Sequence, residues 1–266
     1  MRFVNIQHLR REVDLTIVDD ANREIAGLLQ EERADYIKGN YKCWTYLREA
    51  LWRIGYLKCW YSEAFLQAGE GQVEHFRPKG RLSGARHSGY WWCAFDWRNL
   101  RLAHPTVNIR REDYLTGEQA GKGCYFPLCD ENVRAAQPEE QGAESPLLLD
   151  PVIPEDCKLM CFDAENGKAI SFSSKEDNEL NFRRVKASIS FYHLNDGTWN
   201  AKRQDLMNDV STLCDRIIEA KHDGDDTGAT RLIDELIRDY TDTRSEFSSA
   251  AIQVVREKGL LEGVAV

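Results

Sequence analysis

The sequence predicts an α+β chain, with a strand–strand–helix unit embedded between helical N- and C-terminal segments. Three observations predict it. Apolar residues recur at helical spacing near both ends, at Ile25, Leu28 and Leu29 and again at Leu206, Val210, Leu213 and Ile217. Short alternating runs of strand length lie between them, at 72–76 and 100–102. Glycine-bearing polar stretches, such as Gly80 to Gly89, separate those runs. The expected divisions are 1–56 (helical), 57–130 (the strand–strand–helix unit), 131–174 (short strands and loops) and 175–266 (helical).

In order, Asp19-Asp20 is expected to cap a helix that ends near Gly39. A second helix sets Trp44, Leu47, Leu51 and Ile54 on one face, with Gly55 at its C′ position. Both read as a platform with core aromatics. Leu57 to Ser62 leads into the Ala68 to Gly71 loop. Gln72 to Phe76 alternates as a strand, and Arg77-Pro78 ends it because proline has no N–H to donate. Tyr90 to Trp97 is the most aromatic stretch. It admits three readings: core, a platform for unpaired bases, or a partner surface. Leu100-Arg101-Leu102 alternates and returns as the second strand. Pro105 opens the next helix, which carries Asn108 in its first turn.

Positions 113–144 read as polar loop interrupted by Phe126-Pro127-Leu128. Leu147 to Asp150, Lys158 to Asp163 and Lys168 to Phe172 read as strands, with Asn166-Gly167 turning between the last two. Helices are expected from about Lys175. Leu232, Ile233, Leu236, Ile237 and Tyr240 form the second C-terminal stripe. Asp223-Gly224-Asp225-Asp226 separates it from the first. Its glycine position and missing distal glutamate make it a helix connector rather than a calcium loop.

A chain of 266 residues can bury a substantial core. No run of eighteen apolar residues occurs and the N-terminus lacks an apolar signal core, so a cytosolic protein without membrane spans is expected. Eight scattered cysteines do not resemble a secreted disulfide framework and should be reduced. Cys157-x-x-x-Cys161 has half-site spacing for a metal, but its strand-like neighbours favour core packing. The net charge of −9 argues against a protein that coats nucleic acid non-specifically. Between 77 and 111, however, Arg77, Lys79, Arg81, Arg86, Arg98, Arg101, Arg110 and Arg111 face only Asp96. One basic face on an acidic chain suits contact with phosphate.

Gln72-Val73-Glu74-His75-Phe76-Arg77-Pro78-Lys79 precedes Asp96-Trp97-Arg98-Asn99-Leu100 and Val107-Asn108-Ile109. His75, Asn99 and Asn108 fall in the order and rough spacing of the HNH nucleases, whose ββα-metal unit they resemble. Lys122-Gly123-x-x-Phe126-Pro127-Leu128 and Pro146-Leu147-Leu148-Leu149-Asp150-Pro151 narrow the likeness. They are similar to the small HNH nuclease of Septu-type defence systems and its retron-associated relatives. The likeness covers 58–162, and the C-terminal helices only in character.

That resemblance implies a phosphodiester-cleaving endonuclease in which Glu74 and Asn108 hold one Mg²⁺ or Mn²⁺. His75 would be the general base and Asn99 would brace the loop that aims it. Arg77, Lys79, Arg81, Arg86, Arg110 and Arg111 would meet the nucleic acid. The resemblance also implies an ABC-type ATPase partner and, in some relatives, a retron reverse transcriptase with its RNA–DNA hybrid. This chain departs at a zinc knuckle. Cys59-Trp60-Tyr61-Ser62 and His104-Pro105-Thr106-Val107 stand where relatives carry two Cys-x-x-Cys pairs. Cys59 and His104 alone are too few for a structural zinc, so a degenerate knuckle without zinc is expected. Three functions stay open: a defence endonuclease, a toxin that cuts tRNA or other RNA with the same residues, and a catalytically silent subunit. No residue reads base identity, so DNA and RNA are both admissible substrates.

Overall fold

Two helices replace the single long one expected near the N-terminus. The computed structural model describes residues 1–112, 117 and 119–260. After the one-turn α1 (Leu9–Glu12) come α2 (Thr16–Gly27) and α3 (Gln30–Gly39). Asp19 and Asp20 lie inside α2. Asp14 meets its first turn instead, accepting from the Thr16 N–H at 2.9 Å and the Thr16 hydroxyl at 2.7 Å. The break falls at Leu28-Leu29, where the backbone is extended. Glu32 reaches back to the Leu29 N–H at 2.9 Å and satisfies a donor beside the new helix start.

α4 (Lys42–Thr45) and α5 (Arg48–Ile54) likewise divide the second expected helix. Gly55 ends α5 in right-handed backbone (φ −88°); the left-handed residues are Tyr56 and Leu57. Gly55 serves close approach rather than the C′ role, because a Cβ there would collide with Trp60 Nε1.

β1 (Gln72–His75) pairs antiparallel with β2 (Leu100–Ala103), setting Glu74 opposite Arg101 and His75 opposite Leu100. α6 (Pro105–Asn108) follows at once, with proline at its first turn. All four residues of β2 are buried, so its alternation does not mark a solvent face. Arg101 is tolerated because its guanidinium forks onto Asp150 at 2.7 and 2.6 Å.

A two-residue ribbon, β3 (Arg111–Glu112) with β4 (Gln119–Ala120), interrupts the expected polar loop. Positions 113–116 and 118 of that loop lie outside the described residues. The one-turn α7 (Pro154–Cys157) precedes a hairpin of β5 (Met160–Phe162) and β6 (Ala169–Ser171). At its turn Gly167 takes φ +67° and donates to the Asp163 carbonyl at 2.8 Å. Leu147 to Asp150 is not a strand. Its N–H groups go instead to Pro127 O, Ser188 Oγ and Asp156 Oδ2.

The C-terminal segment contains α8 (Glu179–Phe191), α9 (Gly197–His222), α10 (Asp226–Leu236) and α11 (Ser248–Glu257). Val210, Leu213 and Ile217 are buried on α9. The acidic connector caps α10 through Asp225, which accepts from Gly228 N–H at 2.8 Å. This segment packs back on the chain's beginning. Lys58 Nζ donates to the Thr243 and Ser245 carbonyls at 2.7 and 2.8 Å. Buried Glu63 receives the Met1 ammonium at 2.9 Å and the Ser249 N–H at 3.1 Å. One apolar cluster therefore draws residues from Met1 to Val255. No helix among the described residues is long and apolar enough to cross a membrane.

Candidate functional site

Successive residues of a strand normally point to opposite faces. β1 stops at His75, and both Glu74 and His75 reach one cavity of about 1220 Å³. Asn108, the last residue of α6, lines the same cavity. The structure thus brings Glu74, His75 and Asn108 together. Asn99 lies behind them, just before β2. Its Oδ1 accepts from the Arg77 N–H at 2.8 Å, and its Nδ2 donates to the Arg77 and Cys93 carbonyls at 2.9 and 3.1 Å. One carboxamide thereby ties the exit of β1 to the segment that precedes β2.

His75 Nε2 lies 2.9 Å from the Ala94 carbonyl. A carbonyl only accepts, so Nε2 carries the proton and Nδ1 keeps its lone pair. Lys79 Nζ stands 3.4 Å from Nδ1. Burial, then the Lys79 charge and more weakly Lys122, hold the imidazole well below the ordinary histidine range, against the pull of the Ala94 carbonyl. The ring is a neutral base at neutral pH.

Glu74 is only 3 % exposed. Its Oε2 accepts from the Tyr61 hydroxyl at 2.6 Å. Lys122 Nζ sits 2.5 Å from Oε1 as an ion pair, and donates to the His75 carbonyl at 2.9 Å. The angles at Oε1 do not make a hydrogen bond, so this buried oxygen has charge beside it but no donor aimed at it. Asn108 Nδ2 donates to Gln72 Oε1 at 2.8 Å, which leaves its carbonyl oxygen to meet a cation.

No group of three or more His, Cys, Asp or Glu among the described residues could hold a metal. A cation here would find one carboxylate and one carboxamide and keep most of its water. Hard oxygen donors with open positions fit magnesium or manganese. Lys122 would compete for the carboxylate.

The basic residues divide. Lys79 and Arg81 line the cavity, Lys79 with its ammonium 4.8 Å over the Trp44 ring. Arg77 is held by Glu144 at 3.0 Å and packs over Phe126. Arg86 is exposed, away from the cavity lining. Arg110 packs over Tyr125, and Arg111 donates to Thr106 Oγ1 at 2.7 Å. Arg98 pairs with Asp96, and Arg101 is buried on Asp150. The other cations of the cavity, Arg33 and Lys38, come from α3. Sequence pattern does not single them out, nor does it single out Tyr61. Lys122 stands in the Lys122-Gly123 run, but nothing local announces its pairing.

In the aromatic stretch, Tyr90, Phe95 and Trp97 are core, whereas half-buried Trp91 also lines the cavity. The two knuckle fragments meet in space. The Cys59 thiol lies against Ser62 and the backbone of His104 and Tyr61, and burial raises it, so it is neutral. The His104 ring turns away, with Nε2 3.3 Å from Glu70 and its edge against Trp199. Ser62 accepts from the Ala64 N–H, and Val107 is fully buried.

No family model matches the sequence. Over 100 residues the chain is 33% identical to the Septu protein PtuB of Bacillus mycoides (strain KBAB4), a match covering 35% of this chain. That match spans 30% of the relative's length. The chain is therefore distantly similar to a Septu protein over part of its length.

Proposed function

We propose that the chain is a metal-dependent HNH-type endonuclease that hydrolyses phosphodiester bonds as part of a Septu-like antiphage defence assembly. The observation that carries this reading is His75. One ring nitrogen is committed to Ala94, and the other keeps its lone pair within reach of the Lys79 ammonium, beside Glu74 and Asn108 on the wall of a cation-lined cavity.

In this reading the substrate phosphate enters against Lys79 and Arg81, whose charges offset its own. His75 Nδ1 takes the proton from the attacking water. Ala94 holds the ring in the tautomer that leaves Nδ1 unprotonated, and Lys79, which must give up its 3.4 Å contact with Nδ1 to the water, discourages its prior protonation. Glu74 and Asn108 would hold the magnesium or manganese ion, which when bound polarises the phosphate and stabilises the leaving oxygen. Tyr61 and Lys122 hold the Glu74 side chain in place. Asn99 holds the backbone on either side of the base. An ABC-type ATPase is the proposed partner.

The second reading, a catalytically silent subunit that binds nucleic acid or the ATPase, is favoured by Lys122, which already neutralises Glu74. Cleavage of labelled DNA and RNA in Mg²⁺ or Mn²⁺ separates the two. The wild type is expected to cut, and His75→Ala to lose roughly 10²- to 10⁴-fold in rate. Wild-type protein that never cuts any labelled substrate, alone or with its partner, would establish the silent subunit.

A further inference from the structure

The proposed chemistry uses one side of the cavity and leaves α3 without a role. Gln30, Arg33, Ile37, Lys38 and Tyr41 all line it. That spacing puts one face of α3, and Tyr41 two positions past its end, along the cavity. The face is not ordinary core, because Lys38 is exposed and Tyr41 is 50% exposed. The Arg33 guanidinium carbon lies over Trp91, 3.7 Å from the ring centroid, and its buried Nε has no hydrogen-bond partner. Among the described residues no carboxylate pairs with Arg33, Lys38 or Arg81. Glu74 is the one acidic residue among the described residues lining the cavity, and Lys122 already offsets it.

The depth of the site matters as much as its charge. His75 is 6% exposed and Glu74 3%. A phosphate fixed on the outside of a duplex reaches groups so covered less readily than one on a flexible strand. A strand whose bases are unpaired can thread its backbone down and needs flat surfaces for the bases it has unstacked.

We propose that the cavity selects an unpaired nucleic-acid strand. A base stacks on the Arg33–Trp91 plane with Tyr41 beside it. Lys38 and Arg81 hold the neighbouring phosphates while the intervening linkage reaches His75. The inference rests on the nuclease reading for the bond that is cut, but strand binding does not require cleavage.

The test uses full-length His75→Ala protein and labelled oligonucleotides of roughly 12 nucleotides, a length that fits single-strand grooves. A DNA strand, an RNA strand of the same sequence and a blunt DNA duplex are compared by fluorescence anisotropy. At least one strand should bind about tenfold tighter than the duplex, and the DNA and RNA arms report which sugar is preferred. Arg33→Ala and Tyr41→Ala should each weaken strand binding by roughly 5- to 100-fold, the range for loss of one stacked base. Arg33→Lys keeps the charge but loses the plane, so it should resemble Arg33→Ala. Tyr41 is half exposed, so its variant stays informative if the Arg33 variants fail to fold. Duplex binding as tight as strand binding, no binding to any oligonucleotide, or strand binding unchanged by Arg33→Ala and Tyr41→Ala overturns the proposal. Wild-type protein that binds strands in this pattern but never cuts them would remove the nuclease reading and leave strand selection standing.

Discussion

Glu74 and Lys122 form an ion pair in which neither partner meets solvent. Removing one charge strands the other. Lys122→Met should therefore lower unfolding free energy by about 3–5 kcal/mol in metal-free buffer. Mg²⁺ or Mn²⁺ should then raise the melting temperature of the variant more than that of the wild type, because a cation at Glu74 would replace the lost ammonium. Equal shifts in both proteins would show that no cation replaces Lys122 there. Asn99→Ala would leave the Arg77 N–H and two carbonyls without their side-chain partner. A loss of about 1–3 kcal/mol is expected by denaturant titration, accompanied by slower cleavage. At this scale the sequence is legible where chemistry is local. Glu74 and His75 are adjacent, and Asn99 and Asn108 follow within one motif. Arg77 reads as a phosphate ligand only until Glu144, 67 positions away, arrives to neutralise it. Arg33 and Tyr61 join the site through packing that no local pattern carries.

At the scale of elements, turn chemistry is readable and helix breaks are not. Asn166-Gly167 marks its hairpin because few residues tolerate the left-handed backbone there. The division between α2 and α3 depends on Glu32 reaching the Leu29 N–H, which competes against an unbroken apolar stripe. Leu147 to Asp150 has strand composition but no strand beside it, and side chains from Ser188 and Asp156 take its donors. Gly55 looks like a helix-ending glycine and is a contact glycine. Gly55→Ala should force Trp60 off its bond to the Leu51 carbonyl and cost about 1–3 kcal/mol of overpacking, measurable as a lower melting temperature. An unchanged melting temperature would mean that Trp60 has room to yield.

At the scale of the whole molecule, Glu63 joins the two ends of the fold. Burial alone would raise its carboxyl. The Met1 ammonium, Lys58 and the Ser249 hydroxyl outweigh that and bring it from an ordinary value of 4.5 to about 2. The unfolded chain therefore takes up this proton first as pH falls. The stability contributed, about 3 kcal/mol, is present above pH 4.5 and lost progressively towards pH 2. Glu63→Gln should be less stable at pH 7 and show a shallower loss of stability across that window. A chain ending at Phe172 would lack Thr243, Ser245 and Ser249 and should not fold, as judged by loss of a cooperative melting transition. Docking of the proposed ATPase partner is better probed on the intact chain by charge reversal at the exposed Arg231 and Arg238, expected to weaken any co-purification of the two.

The bonds from Lys58 to Thr243 and Ser245 span 185 and 187 positions. On its other side the Lys58–Glu63 segment is bonded to β2, through Trp60 N–H and the Leu102 carbonyl. A ribosome makes this segment early and its partners late. Until those partners emerge, Lys58 lacks its two carbonyl acceptors and Glu63 its Ser249 donor, and the layer beneath β2 stays unfinished. Chains grow at about 5–20 residues per second, so the nascent polypeptide spends many seconds in that state beside ribosomal and messenger RNA. Pulse-labelled chains should accordingly become protease-resistant only once residues 243–249 have cleared the exit tunnel.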